Sequence, residues 1–450
     1  MRLVSAGFYS MEKLVKNDPK ITRAWCFYDW ANSVYSLVIT TAIFPIYYVA
    51  LTKKETGDQV SFFGWDISAS VLYSYALTGA FLIIAFLSPL LTALADSGGN
   101  KKSFMRFFCY MGSLACMGLF FFTEQTFSLS VLLFMIAAIG YSGSIVFYNA
   151  YLPEIATEDQ FDRLSAKGFS LGYIGSMILL IISLVLVMYK EMFGFTDGNL
   201  PARISFLLTG LWWFGFAQYS FAYLPHNPYQ KETKGNFLLN GFRELGIVVR
   251  QLKHLPMLKR FLLAFFFYNM GVQTVMYVAS LFGSKELGLP SEDLITVLLI
   301  IQAVAIGGAY FFAWLSGRIG NIKAIAITVI VWVGITIGAY FITTGTQYYV
   351  LAFVVGAVMG GIQALSRSTY SKLLPETTDH ASYFSFYDIC DKVGLALGSL
   401  AFGVTQQIFG SMRNSILTLL IFFVIGLIIL LTIKSKKLSG AEDKPVPILA

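Results

Sequence analysis

Charge is what this 450-residue chain has least of. Only 13% of its residues are Asp, Glu, Lys or Arg, while 56% are hydrophobic. Soluble domains carry roughly 25% charged residues, and no stretch between the apolar runs is long enough to fold as a soluble domain. The formal net charge of +7 therefore implies no nucleic-acid partner, because membrane proteins keep surplus Lys and Arg in cytoplasmic loops. Cysteine and histidine are as scarce. Cys26, Cys109, Cys116 and Cys390 lie in or beside apolar runs without the paired spacing of a zinc or redox motif, and read as small packing residues. His226, His254 and His380 are expected in loops. No His, Cys and carboxylate cluster suggests a metal, and no cofactor is expected. A Gly-rich phosphate loop ending in Lys-Ser/Thr is missing, which argues against ATP as the energy source. No nucleophile–base pair points to an enzyme, and no span carries an Arg ladder like that of a voltage sensor. The first 23 residues hold Lys13, Lys16, Lys20 and Arg23 but no continuous apolar core, unlike a secretory signal peptide.

What the chain does have is long apolar runs. A membrane-crossing helix takes about 20 such residues, and twelve candidates stand at roughly 24–51, 68–95, 104–123, 127–151, 168–190, 204–224, 260–283, 292–316, 324–344, 347–371, 388–410 and 414–434. The predicted fold class is an all-α membrane protein of twelve transmembrane helices. One long linker, 225–259, divides it into bundles at 1–224 and 260–450. With the N-terminus inside, the inside segments hold 25 of the 32 Lys and Arg, the outside segments hold 6, and Lys392 lies within a span. That bias puts both termini and the linker in the cytoplasm. Residues Phe237–Lys259 are predicted to include an amphipathic helix that tethers the linker to the membrane surface. A bacterial inner membrane is the expected location.

The two halves repeat. Gly99 and Gly320 are 221 residues apart, and each is followed by Asn and then Lys. Leu152-Pro153-Glu154 returns as Leu374-Pro375-Glu376 at 222, and Gly175-Ser176 as Gly398-Ser399 at 223. Matches at nearly one offset imply two homologous six-helix halves of the same orientation, related by pseudo-symmetry. Parallel halves of this kind place a solute site between them near the bilayer midplane.

Against that background, the loop from Asp96 through Gly98, Gly99, Lys101 and Lys102 resembles the signature between helices two and three of the major facilitator superfamily. It departs where Thr92 replaces a usual Gly and Ser97 a usual Arg, and the second-half loop around Gly317, Arg318 and Gly320 lacks the acid. Within the superfamily, the stretches Tyr28 to Ser33, Phe147 to Glu154, Gln363 to Ser368 and Phe386 to Asp388 resemble the family of the yeast autophagy-related vacuolar amino-acid effluxer and its bacterial relatives, over essentially the whole chain. The resemblance implies the major facilitator fold and transport. In fungal members it implies amino-acid export from a degradative organelle.

The chemistry-bearing residues fall into three groups. Asp29 lies inside the first span, where an acid is costly and by default faces a bundle interior or wet cavity. It is the candidate proton-coupling residue, with a snorkelling or base-paired role as the bland alternative. Asp96, Gly99 and Lys101 are a candidate latch: the glycines allow a tight turn, the acid can reach the N-terminus of a nearby helix, and Lys101 and Lys102 can meet lipid headgroups. A simple turn with cytoplasmic bases would look the same. Arg367, Asp388, Asp391 and Lys392 form a candidate gate. Asp388 and Lys392 can pair along one helix face, and Asp391 is expected to seek Arg367, Arg163 or Lys167. Static ion pairs are the alternative.

Polar residues on helices one, four, seven and ten are candidates for touching solute: Tyr28, Asn32, Tyr35, Tyr148, Asn149, Tyr268, Asn269, Gln273 and Gln363. Amides and phenols can hold a zwitterion, or can simply hydrogen-bond helix to helix. The sequence thus predicts a monomeric secondary active transporter. It would move a small polar solute, an amino acid or related metabolite, by alternating access driven by protons or another ion, with export as one direction open to it. A transport-fold sensor or lipid-handling protein is the rival reading. Membrane lipid is an expected partner; nucleic acid is not.

Overall fold

A computed structural model describes residues 15–52, 59–195, 197–226 and 237–433. Parts of the basic segments counted above, namely residues 1–14, Lys53, Lys54, 227–236 and 434–450, lie outside the described residues. Twelve long helices cross the molecule: α1 Pro19–Thr52, α2 Ala69–Gly98, α3 Lys101–Phe121, α4 Phe127–Ile155, α5 Glu158–Met188, α6 Leu200–Tyr223, α7 Pro256–Leu287, α8 Ser291–Ile319, α9 Asn321–Phe341, α10 Gly345–Leu373, α11 His380–Phe409 and α12 Met412–Leu431. Ten are long and apolar enough to span a membrane by length and composition. The other two are α6, diluted by Trp212, Trp213 and Tyr219, and α11, which carries Asp388, Asp391 and Lys392. They are as long, at 24 and 30 residues. Large apolar side chains such as Phe86, Phe107, Phe121 and Ile428 point outward, as the lipid-facing surface of a bundle requires.

Helices α1–α6 form one bundle and α7–α12 the other. Inside the first, α1 packs on α5 and α6, α2 on α4, and α3 on α4 and α6; the second repeats this with α7 on α11 and α12, α8 on α10, and α9 on α10 and α12. Between bundles, α2 meets α11 and α5 meets α8, which are the same pairing under exchange of halves. The 221–223-residue repeat in the sequence is therefore a structural two-fold.

Local chemistry explains the departures from plain helices. Asp18 caps α1 by accepting the Lys20 amide at 2.7 Å, with Pro19 following at the first helical position. Midway along α1 the backbone widens to a π-helical turn at Tyr35–Ala42. Pro45, three residues on, has no N–H to give the ladder, and within the widened turn the Thr41 hydroxyl donates to the Ser36 carbonyl at 2.9 Å. Between α1 and α2 lies a small antiparallel hairpin, β1 Gln59–Phe62 and β2 Trp65–Ser68, with Gln59 opposite Ser68. The sequence analysis did not anticipate it. The linker does contain a helix, Phe237–Lys253. It packs on α2, and the Tyr383 hydroxyl of α11 donates to Gln251 Oε1 at 2.9 Å. The helix is strapped across both bundles, a docking that the expectation of a membrane-surface tether did not include. His380 opens α11 and is not a loop residue.

Close helix crossings rest on glycine. A Cβ on Gly140 of α4 would stand 2.8 Å from the Phe108 carbonyl of α3, and one on Gly112 would run into the Trp213 ring and the Gly140 backbone. Overpacking usually costs about 1–3 kcal/mol. Gly140→Val should therefore lower the melting temperature of detergent-purified protein, whereas Gly334→Ala, at an α9 position with nothing within 4 Å of the added carbon, should hold it or raise it slightly.

Candidate functional site

The start of α1, the end of α12, the linker helix and the ends of α2, α4, α8 and α10 share one side of the molecule, here termed the termini side. Polar side chains tie the two bundles together there in three clusters.

The innermost centres on Arg367 of α10, which is 2% exposed. Its Nη1 and Nη2 each donate to Asp29 Oδ2 of α1 at 3.2 Å. Its Nε donates to Ser165 Oγ of α5, and Nη2 to the Ser165 carbonyl, both at 2.9 Å. Nη1 also reaches Asn149 Oδ1 of α4 at 3.3 Å. The Tyr148 hydroxyl donates to Asp29 Oδ2 at 2.7 Å. The guanidinium plane lies over Phe169, Trp25 and Tyr148 at 4.1, 4.8 and 5.4 Å, so its faces as well as its edge are partnered. Gly168 makes room: a Cβ there would stand 3.0 Å from Arg367 Nη2 and 3.1 Å from the Tyr148 hydroxyl. One turn deeper, Tyr173 of α5 bonds Gln363 of α10.

The other two clusters are related by the two-fold. In the first, Asp96 at the end of α2 accepts the backbone N–H and the hydroxyl of Ser382 at 2.7 and 2.8 Å, so it sits on the N-terminus of α11 in the opposite bundle. Gly99 closes α2 in the left-handed conformation, φ 64°, which permits the turn. Lys101 lies 3.4 Å from Asp96 and bonds Glu154 at the end of α4, while His380 Nδ1 is 3.3 Å from Glu154. In the second, Asp162 of α5 accepts from Lys372 of α10 at 2.8 Å, from Ser316 of α8 at 2.9 Å and from Asn321 of α9 at 2.7 Å.

Asp388, Asp391 and Lys392 form a separate group within the second bundle. Lys392 Nζ is 2.7 Å from Asp391 Oδ2 and 3.7 Å from Asp388 Oδ1. Asp391 Oδ1 accepts from Asn269 at 2.7 Å and Gln273 at 2.8 Å, both on α7.

Several expected partnerships are rearranged. Asp391 does not meet Arg367, Arg163 or Lys167. The physical reason is depth. At 1.5 Å per residue, Asp391 lies about 16 Å into α11, whereas Arg367 lies about 9 Å from the end of α10. The expected gate of four residues is thus two clusters at different levels. Lys101 is not at a headgroup: it is 3% exposed and lies between two carboxylates. Lys102, its neighbour, donates to the Leu224 carbonyl at 2.7 Å. Tyr28 and Tyr35 turn into the first bundle, Tyr28 against Tyr148 and Phe221 and Tyr35 against Tyr141 and Trp213. They are seven residues apart and so share a helix face, and that face is covered by α4 and α6. Asn32 is buried with its Nδ2 unpartnered. Tyr268 bonds Ser366 within the second bundle at 2.7 Å. Tyr148, Asn149 and Gln363 belong to the cross-bundle cluster around Arg367. A cavity inside the second bundle, lined by Val275, Met276, Phe282, Ile335, Leu351 and Ile416, is apolar and offers nothing to a zwitterion.

Sequence reasoning gave no role to Glu154, Asp162, Ser165, Gly168, Tyr173 or Asn321. Glu154 and Asn321 did carry a signal, since each belongs to a segment repeated between halves. Asp162 and Ser165 carried none.

Comparison with known proteins follows the same lines. A family model described as "Vacuole effluxer Atg22 like" matches residues 17–442. The Bacillus subtilis (strain 168) protein "Uncharacterized MFS-type transporter YxiO" is 33% identical over 420 residues, 93% of this chain and 95% of that one. "Autophagy-related protein 22" of Kluyveromyces lactis is 27% identical over 401 residues, covering 80% of this chain and 79% of its own. Among solved structures, FucP, a major facilitator transporter in the outward conformation, superposes with a TM-score of 0.68 at 12% identity over 92% of this chain and 98% of that one. The human organic anion transporter MFSD10 gives 0.69 at 12% identity, covering 92% of this chain and 100% of its own. Those likenesses establish the major facilitator fold.

Removing one partner of a buried ion pair costs about 3–5 kcal/mol, because the other is left uncompensated. Arg367→Met or Asp29→Ala alone should strongly depress thermal stability, and the double substitution should be more stable than the sum of the two losses. A double-mutant cycle by thermal melting reads the coupling; strict additivity would mean that the pair is not coupled.

Proposed function

The chain belongs to the vacuole effluxer Atg22-like family of major facilitator transporters, and on that premise we propose that it is a secondary active transporter of a small polar solute. It works by alternating access. The solute is an amino acid or related metabolite, the driving ion is a proton, and the direction of movement is outward from the cell. The reading places the protein in a bacterial inner membrane as a monomer with its termini, and hence the termini side, in the cytoplasm.

The observation that carries this is the distribution of cross-bundle bonds. The three clusters join α1, α2, α4 and α5 of one bundle to α8, α9, α10 and α11 of the other, all in the parts of the helices nearest the termini side. Ion pairs and side-chain hydrogen bonds between two packed bundles are contacts that rocking of the bundles can break and reform, and such rocking around a midplane site is how parallel-repeat transporters work. In this reading the structure is closed toward the cytoplasm. Asp29 and Arg367, with Ser165, Tyr148 and Asn149, are the central gate. Asp96, Gly99, Lys101, Glu154 and His380 form one outer latch, and Asp162, Lys372, Ser316 and Asn321 the other. Asn32, Asn269, Gln273 and Gln363 are the polar side chains proposed to meet solute, the last once its bond to Tyr173 is released. The amino-acid assignment leans on the resemblance to the vacuolar amino-acid effluxer family.

The direct test is counterflow of labelled amino acids into proteoliposomes loaded with the same amino acid, preceded by a thermal-shift screen over amino acids, short peptides, sugars and nucleosides. A transported ligand should raise the apparent stability by mass action. No exchange of any amino acid, with stabilisation by lipid alone, would favour a sensor or lipid-handling role instead.

The latches make a separate prediction. Cys26 is buried beside the Leu164 carbonyl, next to the central gate. In protein whose other three cysteines are replaced by Ala, Asp96→Asn or Lys372→Met should speed maleimide labelling of Cys26. A loss of 1–2 kcal/mol in latch strength corresponds to about 5- to 30-fold. Unchanged labelling would make these clusters static supports.

A further inference from the structure

We propose that the α11 triad of Asp388, Asp391 and Lys392 is the cation site of this protein, and that the Asp388 carboxyl takes up and releases the coupling proton. The assignment rests on the transporter reading above and names the residue that would couple it.

Counting buried charge leaves one carboxylate over at the triad. Asp29 faces Arg367, one charge against one. Asp162 faces Lys372, with the solvent-exposed Glu158 also near that lysine. Around Asp96 and Glu154, Lys101 is joined by His380, a second group able to carry positive charge. The triad sets two buried carboxylates against a single ammonium with no further base among the contacts described.

The bonding pattern says which carboxylate is short of a partner. Asp391 has a complete set: Asn269 and Gln273 donate to one oxygen and Lys392 to the other. Asp388 is 5% exposed, its Oδ1 lies at the longer distance of 3.7 Å from Lys392, and its Oδ2 has no hydrogen-bond partner. A buried acceptor that is charged and unpartnered is costly. One positive charge at Oδ2 removes both deficits.

A proton fits this position better than an alkali ion, which needs several oxygen ligands around it. The groups facing the triad from its neighbours are the Asn269 and Gln273 amides of α7, the Tyr141 hydroxyl of α4 and the Phe81 ring of α2, with Cys390 beside it on α11. Tyr268 of α7 and Arg367 of α10 lie near the adjacent Tyr387. Arg367 is committed to Asp29. None of these supplies a third carboxylate. Tyr141 and Phe81 belong to the first bundle, so the triad borders the seam along which the bundles move.

The step balances simply. On uptake an O–H bond forms at Asp388 Oδ2, the carboxyl becomes neutral, and Lys392 keeps Asp391 as its one anionic partner. Release breaks that O–H bond and restores the shared arrangement. No electrons move. Lys392 Nζ lies over the Phe81 ring at 5.5 Å, so a change in how tightly α11 holds Lys392 is felt directly by α2 across the seam.

Infrared titration of the purified full-length protein tests this without any solute. A protonated-carboxyl band that persists above the range of exposed carboxylates is expected in the parent protein and in Asp29→Asn. It should be lost in Asp388→Asn and return at a shifted frequency in Asp388→Glu. Size-exclusion profiles identify folded variants. A band lost in Asp29→Asn and kept in Asp388→Asn overturns the assignment. So does the absence of any such band together with sodium-dependent stabilisation that Asp388→Asn removes. Failure of amino-acid counterflow counts against the transport reading alone, since the band is read with no solute present.

Discussion

A guanidinium buried between two helix bundles is the constraint around which the termini side is built. Arg367 cannot lose its charge in a protein, and at 2% exposure it has no water to solvate it. Everything near it is arranged to replace that water. Asp29 supplies the opposite charge, Ser165 and Asn149 accept the remaining donors, and three aromatic rings cover its faces. All six of these side chains, together with Gly168, come from α1, α4 and α5, while Arg367 comes from α10. Neither bundle satisfies the charge alone. The ion pair is therefore poor evidence of stability gained and good evidence of which arrangement of the bundles is specified. Any arrangement that separates α10 from α1 must offer Arg367 and Asp29 water or other partners.

The two outer clusters show how a duplicated fold can keep a function while moving its charges. In the first, the acid stands at the end of α2 and sits on the start of α11. The equivalent turn after α8 has no acid, only Gly317, Arg318 and Gly320. The structure supplies the missing carboxylate from the other side of the contact, as Asp162 near the start of α5. The pairing of elements is retained, α2 with α11 and α8 with α5, and the sign of the charges is exchanged between partners. The linker helix adds a third connection on the same side, from α2 to α11. It also shortens the path between the bundles from a loose tether to a docked strap.

The fold was legible in the sequence to a high degree, and the site only in part. Twelve apolar runs and a fixed repeat offset specify the helices and the two halves, because hydrophobic length and duplication are properties of the chain itself. Asp96 reaching a helix N-terminus was legible for the same reason: a turn rich in glycine leaves an acid with few other places to go. Lys392 pairing with Asp388 followed from spacing on one helix. What sequence could not provide was depth and rotation. Asp391 and Arg367 are both near the ends of their predicted spans, yet a difference of a little over one turn in depth keeps them apart. Tyr28 and Tyr35 look like cavity residues on a list of polar side chains, yet the face they share is the one covered by α4 and α6. Asp162 was invisible because a single acid near a helix start is an ordinary feature of any helix. Its partners come from three other helices, 154 to 210 residues away.

Charge balance also separates two roles that the sequence joined in one residue. An acid inside a membrane span draws attention as a proton carrier, and Asp29 is the first such acid in the chain. Asp29 already has Arg367 against it and Tyr148 donating to the same oxygen, so protonation would leave the guanidinium unbalanced. A residue in that position suits a gate, whose task is to stay charged until the bundles part. Asp388 stands in the opposite condition. It shares one ammonium with a better-placed neighbour and has an oxygen without a donor. Protonation there brings the cluster to neutrality. Separating the two tasks has a mechanical advantage, because the gate need not weaken its own ion pair for the proton to bind. The proton acts on α11, and α11 is the helix whose first turn Asp96 holds from the other bundle. A change at Asp388 is therefore transmitted along a rigid helix to the Ser382 contact of the latch, about two turns away.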